Sequence, residues 1–261
     1  MRNDYIDLRY RLRFKSGFHC GTGLRRGLLH RGVARDSNGF LYVPGSTFKG
    51  ILRDHATQLA RFFELPIPEQ HTLTSNLSHF AVASRFDVVT HVFGSHFRPG
   101  TLFFDDASLC EEDQRFFCPP STPNRPQRHF LAQQIEARTQ VSMSRVTGTA
   151  RRGMLFSSEY GRKDIQLDGR IVGLLPGVQV ISDPSISYAL LLLLAALHSV
   201  DRIGGGRSAG LGQVEWTPTF VQWNTDTYSD PTTIAEIIEQ WLKLFSEFEY
   251  YQLSVEEGGV S

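Results

Sequence analysis

Apolar and polar residues alternate over 5–14, YIDLRYRLRF, which predicts a strand with one buried face and puts Arg9, Arg11 and Arg13 together on the other. Three neighbouring guanidinium groups repel unless something anionic lies over them. FLYV, residues 40–43, reads as a second short strand stopped by Pro44 and Gly45. Beyond it Phe48, Ile51, Leu52, His55, Leu59, Phe62 and Phe63 recur at helical spacing, with Ser46 or Thr47 as the cap. TLFFDDASL (101–109), residues 165–181 and GQVEW (212–216) read as further strands, and 185–200 as a second helix. The apolar run inside that helix, 188–197, is about half of the ~20 residues a membrane span needs, so it is predicted to be buried core. A third helix over about 231–250 opens at Asp230 and Pro231 and carries Ile234, Ile237, Ile238, Trp241, Leu242, Phe245 and Phe248 on one stripe, with glutamates opposite. The mixture predicts an α+β or α/β sandwich, one sheet with helices packed on it, and the chain is treated as one domain over 1–261.

Glycine and proline mark the excursions. A Gly- and Arg-rich loop runs from about 17 to 38, and CPPSTPNRPQ (118–127) holds four of the twelve prolines, so it reads as an exposed insertion. Residues 139–156, TQVSMSRVTGTARRGMLF, read as a hairpin-like excursion bending at Gly148 and Gly153, with Arg145, Arg151 and Arg152 on its polar side. Phe103, Phe104, Phe116 and Phe117 are assigned to the core, and Asp105 and Asp106 to opposite faces of one strand, where they cannot share an ion.

Composition changes this picture in one respect. At 41% hydrophobic and 21% charged the 261 residues can bury a core, and disorder is excluded. The formal net charge of zero conceals a partition: residues 224–261 hold eight acids and one base, a net of −7, so the first 223 residues carry +7. Cys20, Cys110 and Cys118 are odd in number and form no CxxC pair, which suits a reducing cytoplasm and indicates neither a disulfide framework nor a cysteine zinc site. The first fifteen residues lack the apolar stretch of a secretory signal. His91 and His96 stand without a third ligand at a recognisable spacing, so no metal and no cofactor is expected.

Three segments carry chemistry. Between Leu8 and Arg35 lie eight bases (Arg9, Arg11, Arg13, Lys15, Arg25, Arg26, Arg31, Arg35) and no acid, interleaved with glycines that let backbone and guanidinium groups approach a phosphate chain together. A solvated, salt-tolerant surface is the plainer explanation of such a run. GSTFKGILR (45–53) sits at a strand-to-helix junction, where free amides, Ser46, Thr47, Lys49 and Arg53 suit an anion; its lysine precedes the second glycine, so it is not a Walker-type phosphate loop. In RIGGGRSAGLGQV (202–214) five glycines fall within ten residues around Arg207 and Ser208. This turn follows a helix and precedes a strand, the reverse of a dinucleotide fingerprint.

Together these segments resemble the RAMP superfamily of CRISPR proteins, specifically the guide-binding backbone subunit of type III effector complexes. YVPGSTFKGILR (42–53), VSMSRVTGTARRGMLF (141–156), IGGGRSAGLGQV (203–214) and FGS (93–95) ahead of GTLFFDDA carry the resemblance, in the family's order, over about 14–214. It implies a modified ferredoxin-like, RNA-recognition-type fold with a thumb-like hairpin and loop insertions. It implies guide RNA, complementary target RNA and other complex subunits as partners, copies of this chain among them, with no membrane. Arg25, Arg26, Arg31, Ser46, Thr47, Lys49, Arg53, Gly205, Gly206, Arg207 and Ser208 would then grip the RNA backbone. Met143 and Val146 would wedge between bases and kink the duplex, with Arg145, Arg151 and Arg152 on phosphates. Two departures bear on chemistry. Where the family's cutting aspartate is expected, six residues before Asp36, stands His30, and Ser144 replaces the acid usual in the thumb segment. The reading is therefore a non-catalytic subunit. The enzymatic alternative is an endoribonuclease that cuts target or matures guide through His30 or Asp36. A small-molecule phosphate binder using GSTFKG and the glycine turn is a third reading.

Overall fold

The structure, a computed structural model, describes residues 4–21, 29–63, 88–95, 99–118, 128–175 and 186–246. In chain order its elements are β1 (Asp4–Phe14), β2 (Leu29–Arg31), β3 (Tyr42–Val43), α1 (Gly45–Phe62), α2 (Val88–Phe93), β4 (Leu102–Phe104), β5 (Ala107–Leu109), α3 (Glu111–Phe117) and α4 (Arg128–Ala132). There follow β6 (Ile135–Met143), β7 (Ala150–Gly161), β8 (Gln166–Leu175), α5 (Tyr188–Ser199), β9 (Val214–Trp223), β10 (Asp226–Tyr228) and α6 (Pro231–Ser246).

Strand β1 is the centre of the main sheet. Its alternation is realised: Ile6, Leu8, Tyr10, Leu12 and Phe14 are fully buried, while Arg9, Arg11 and Arg13 lie on the opposite face. It pairs antiparallel with β8 on one side and β9 on the other. Strands β4 and β5 both continue on the far edge of β8, β3 pairs with β5, and β10 with β9. The path β1, α1, β4/β5, β8, α5, β9 is thus a βαββαβ unit with its strands ordered fourth, first, third, second, the ferredoxin-like arrangement. The fold is α+β, with a second, three-stranded sheet ordered β2, β7, β6.

Helix α5 is buried at every position from Tyr188 to Leu197, because it packs against both α1 and α6. Each of its leucines contributes about 2 kcal/mol of transfer free energy to the core. No helix among the described residues is long and apolar enough to cross a membrane. Helix α6 buries Ile234, Ile238, Trp241 and Phe245, as its stripe predicts; residues 247–250 of the expected helix, with Phe248, lie outside the described residues, as does the Pro-rich stretch 119–127.

Several local expectations are corrected. The predicted strand 101–109 breaks after Phe104, leaving Asp105 and Asp106 between β4 and β5. The break has a cause: α1 begins directly against it, so close that a side chain on Gly45 would overlap the carbonyl oxygen of Phe104. The loop over 17–38 is tied down by β2 and by bridges joining Gly21 to Val33 and Arg35 to Leu41. Phe103 and Phe116 are not core: they are 68% and 66% exposed. Phe103 follows buried Leu102 on its strand and so projects from the uncovered face, and on short α3 only Phe117 reaches the interior.

Candidate nucleic-acid interface

Strands β6 and β7 form a long antiparallel hairpin that enters the chain just before β8. Its distal half packs on no other element among the described residues: Val141, Met143, Val146, Met154 and Leu155 are exposed, Val146 at 94%. Register puts Val141 beside Leu155 on one face, and Thr139 hydrogen-bonds Ser157 further down it. At the tip the Ser144 amide donates to the Thr149 carbonyl, and the Ser144 hydroxyl accepts from the Thr147 amide at 3.4 Å. Gly148 has φ +65°, a turn conformation that disfavours a side chain. Arg145, Arg151 and Arg152 are exposed and form no ion pair among the described residues.

The root of the hairpin is joined to two other segments. Phe18 and Gly161 exchange backbone hydrogen bonds (3.1 and 2.7 Å), and the Phe18 ring fills the space a side chain at 161 would take. The glycine turn closes on the same stretch: the Gly212 amide donates to the Gly17 carbonyl and the Gly205 amide to the His19 carbonyl, both at 2.8 Å. Gly206, Gly210 and Gly212 have φ between +75° and +84°, so the turn needs glycine where the sequence has it. Arg207 and Ser208 stand exposed on its short helical turn, Arg207–Ala209.

His19, which sequence reasoning passed over, is the residue these segments share. Its Nδ1 lies 2.8 Å from the Glu159 carbonyl, and its ring meets Tyr160 edge-on at 5.8 Å. A carbonyl partner requires Nδ1 to donate, which leaves Nε2 as the acceptor of the neutral ring. Gly21 leaves room for that ring, since a side chain there would meet Nε2. The available signal was a histidine set between buried Phe18 and Cys20 and followed by glycine. Burial pushes the Cys20 thiol up to about 12, so it is not a nucleophile.

The eight-base run is largely consumed within the fold. Arg11 makes two hydrogen bonds to Asp168 (2.6 and 2.9 Å), which hold its guanidinium well above the usual value. Arg13 lies 3.5 Å from Asp164, Lys15 2.7 Å from Glu215, and Arg9 3.6 Å from Asp7. Arg35 pairs at 2.7 Å with Glu159, whose other oxygen accepts from the Val33 amide at 3.3 Å. The anion expected over the β1 arginines is therefore supplied by carboxylates of β1 itself and of distant strands and turns. Arg25 and Arg26 lie outside the described residues; Arg31, at the end of β2 beside Ser158, is exposed and has no ion pair among them.

The start of α1 stands apart from this group. Its first amide, Gly45, donates to Asp106 Oδ1 at 2.7 Å, so the chain's own carboxylate occupies the place predicted for an outside anion. Neither Ser46 nor Thr47 caps the helix; Pro44 precedes it, and its carbonyl accepts from the Thr47 and Phe48 amides. Ser46 is exposed, Arg53 half-buried, and the Lys49 ammonium lies 5.8 Å from the Phe104 ring centre. Of the two residues weighed for catalysis, His30 lies in β2 with its side chain outside the described residues. Asp36 Oδ1 accepts from the Asn38 and Phe40 amides (2.9 and 2.8 Å), closing a tight loop.

The sequence matches the profile of the RAMP superfamily over residues 11–215, and the chain belongs to that superfamily. Its fold is similar to that of a chain in the cryo-EM structure of type III-B Cmr-beta bound to cognate target RNA, with TM-score 0.54, 12% identity, and 83% of this chain and 96% of that one covered. A chain of type III-B Cmr-beta in the apo state gives TM-score 0.53 at 12% identity, covering 84% and 98%. No curated protein matches it in sequence.

Proposed function

We propose that this chain is a non-catalytic, guide-RNA-binding backbone subunit of a cytoplasmic type III CRISPR complex. It grips ribose and phosphate independently of sequence and leaves the bases to pair with target RNA. The observation that carries the reading is the β6–β7 hairpin, whose distal half exposes Val141, Met143 and Val146 beside Arg145, Arg151 and Arg152. Unpaired cations next to unpacked apolar side chains suit phosphates flanking a base step opened by a wedge. The root supports it, since Arg31, His19 and the glycine turn with Arg207 and Ser208 line one continuous stretch beside the hairpin. In this proposal the hairpin kinks the guide–target duplex, and neighbouring subunits, copies of this chain among them, continue the RNA track. A non-catalytic role agrees with Asp36, one of whose carboxylate oxygens is committed to two loop amides.

The test uses the full chain with labelled guide RNA and complementary target. Met143→Ala/Val146→Ala should retain guide binding and abolish the periodic reactivity of unstacked bases in the guide–target duplex toward a single-strand-selective probe. An unchanged probing pattern overturns the wedge. Target cleavage by wild type that His30→Ala removes would overturn the non-catalytic reading.

A further inference from the structure

Among the described residues, the face of the main sheet opposite α1, α5 and α6 is uncovered, and it holds a depression of about 360 Å³ where β4 breaks into β5. Arg9 and Arg11 from β1, Asp168 and Arg170 from β8, Asp105 from the break and Thr219 from β9 line it. Thr219 is the extra residue of a β-bulge, since Arg9 pairs with Phe220 and Tyr10 with Pro218.

The charges in this depression are already balanced. Asp7, only 4% exposed, accepts two hydrogen bonds from Arg170 (2.8 and 2.9 Å) and lies 3.6 Å from Arg9; Asp168 holds Arg11 in the same two-pronged way. A phosphate or an acidic peptide would therefore gain little there. Hydrogen-bonding capacity is nevertheless left over: Arg11 and Arg170 each spend two of their five N–H groups on a carboxylate and keep three. The Asp105 carboxylate, exposed at the rim, accepts no hydrogen bond among the described residues. The Arg9 guanidinium carbon lies over the Phe220 ring, 4.6 Å from its centre, and a guanidinium held on one aromatic can stack a second on its outer side. On the same face Phe103 pairs in register with Val172, and Leu174 with Tyr5; Phe103 is 68% and Leu174 47% exposed.

From these observations we infer that the open sheet face binds one unpaired guanine base. Guanine is flat and uncharged, and presents acceptors (O6, N7) on one edge and donors (N1–H, N2–H) on another, so it matches guanidinium donors facing a free carboxylate. Asp105 takes the donor edge, the spare N–H groups of Arg170 and Arg11 take the acceptor edge, and the base stacks on Arg9. The exposed Phe103 gives a following base a surface to lie on. This site is separate from the hairpin and its root, and the inference does not depend on the function proposed above.

The experiment is calorimetric titration of the full chain with GMP, AMP and CMP, and with six-nucleotide single-stranded RNAs containing one guanine or none. The expected result is GMP binding about 10-fold tighter than AMP or CMP, and hexamer binding that is tighter with the guanine than without it. Asp105→Asn should remove that preference, and Thr219→Trp, which fills the depression from an exposed position, should abolish GMP binding, with near-UV circular dichroism unchanged for both. An Arg145→Ala/Arg151→Ala/Arg152→Ala variant should still bind GMP, which separates this site from the hairpin. Binding of GMP alone without the RNA would make the ligand a free nucleotide and overturn the strand assignment. Equal binding of all nucleotides, no binding, or unaltered preference in Asp105→Asn overturns the site. So does loss of a protein subunit, rather than of GMP, on Thr219→Trp.

Discussion

The arginines of β1 and those at the tip of the β6–β7 hairpin differ in what neutralises them. Arg9, Arg11 and Arg13 each have a carboxylate of the same chain within 3.6 Å. Arg145, Arg151 and Arg152 have none among the described residues, and they stand on a hairpin whose apolar side chains are equally unpartnered. Only the second set keeps its full Coulombic attraction for an outside phosphate, because a cation already paired must first give up its partner. What distinguishes an RNA footprint from a structural ion-pair network is thus the count of unpaired cations on one face, not the count of basic residues in a stretch of sequence.

The largest expected effect breaks that comparison directly. Replacing Arg145, Arg151 and Arg152 together by alanine should weaken guide binding about 30- to 100-fold at low salt and flatten the plot of log affinity against log salt by about 2, at about 0.7 per lost single-strand phosphate contact. Arg13→Ala, which removes an arginine already paired with Asp164, should move affinity less than about threefold and leave the slope alone. Fluorescence anisotropy at two or more salt concentrations distinguishes the two; equal effects of both variants would dissolve the distinction.

Next in size is the link between the two regions. Glu159 is 8% exposed and ties Arg35 and the Val33 amide to the root of the hairpin. Glu159→Gln leaves a mostly buried guanidinium without its counter-charge and should cost about 2 to 3 kcal/mol in urea unfolding. It should also weaken guide binding, since the base of the hairpin loses its tie to the segment at Val33 and Arg35 that follows β2. Asp7→Asn tests the sheet side: the carboxylate is 4% exposed but its partner Arg170 is 40% exposed, so the cost should be nearer 1.5 kcal/mol, with guide affinity retained.

How much of this was legible in the sequence follows from the range of each interaction. The period-two burial of β1 and the all-apolar α5 are decided by neighbours a few residues apart, and both were readable. The hairpin was recognisable from Gly148 and its flanking arginines, but its length was underestimated because Ile135 and Gly161 pair across 26 residues. Nothing local says that Arg11 meets Asp168, 157 residues away, or that Gly45 finds Asp106. The same holds for His19, whose role comes from Glu159 and Gly205 rather than from its flanks. Phe103 was assigned to the core on hydrophobicity alone, although which side of an edge strand stays uncovered is decided by where the helices lie.

The smallest effect asks the same question of an acidic group. Asp230 sits ahead of α6 and accepts hydrogen bonds from the Thr232 and Thr233 hydroxyls and from the Thr233 amide, the last at 3.0 Å. Those bonds, that from Thr232 foremost, hold its carboxyl below the usual aspartate range. A carboxylate whose value is depressed in the folded chain contributes stability that is complete above its unfolded value, about 3.9, and is lost as pH falls through the lower folded value. Asp230→Ala should therefore lower Tm by on the order of 2 °C at neutral pH, and the gap to wild type should close in acid as wild type loses the charge too. Guide binding should stay unchanged, since this carboxylate, like those beside the β1 arginines, is spent inside the fold. A gap that persists undiminished well below pH 3 would mean that the cap works through shape alone, and the principle that paired charges serve the fold would lose its support at α6.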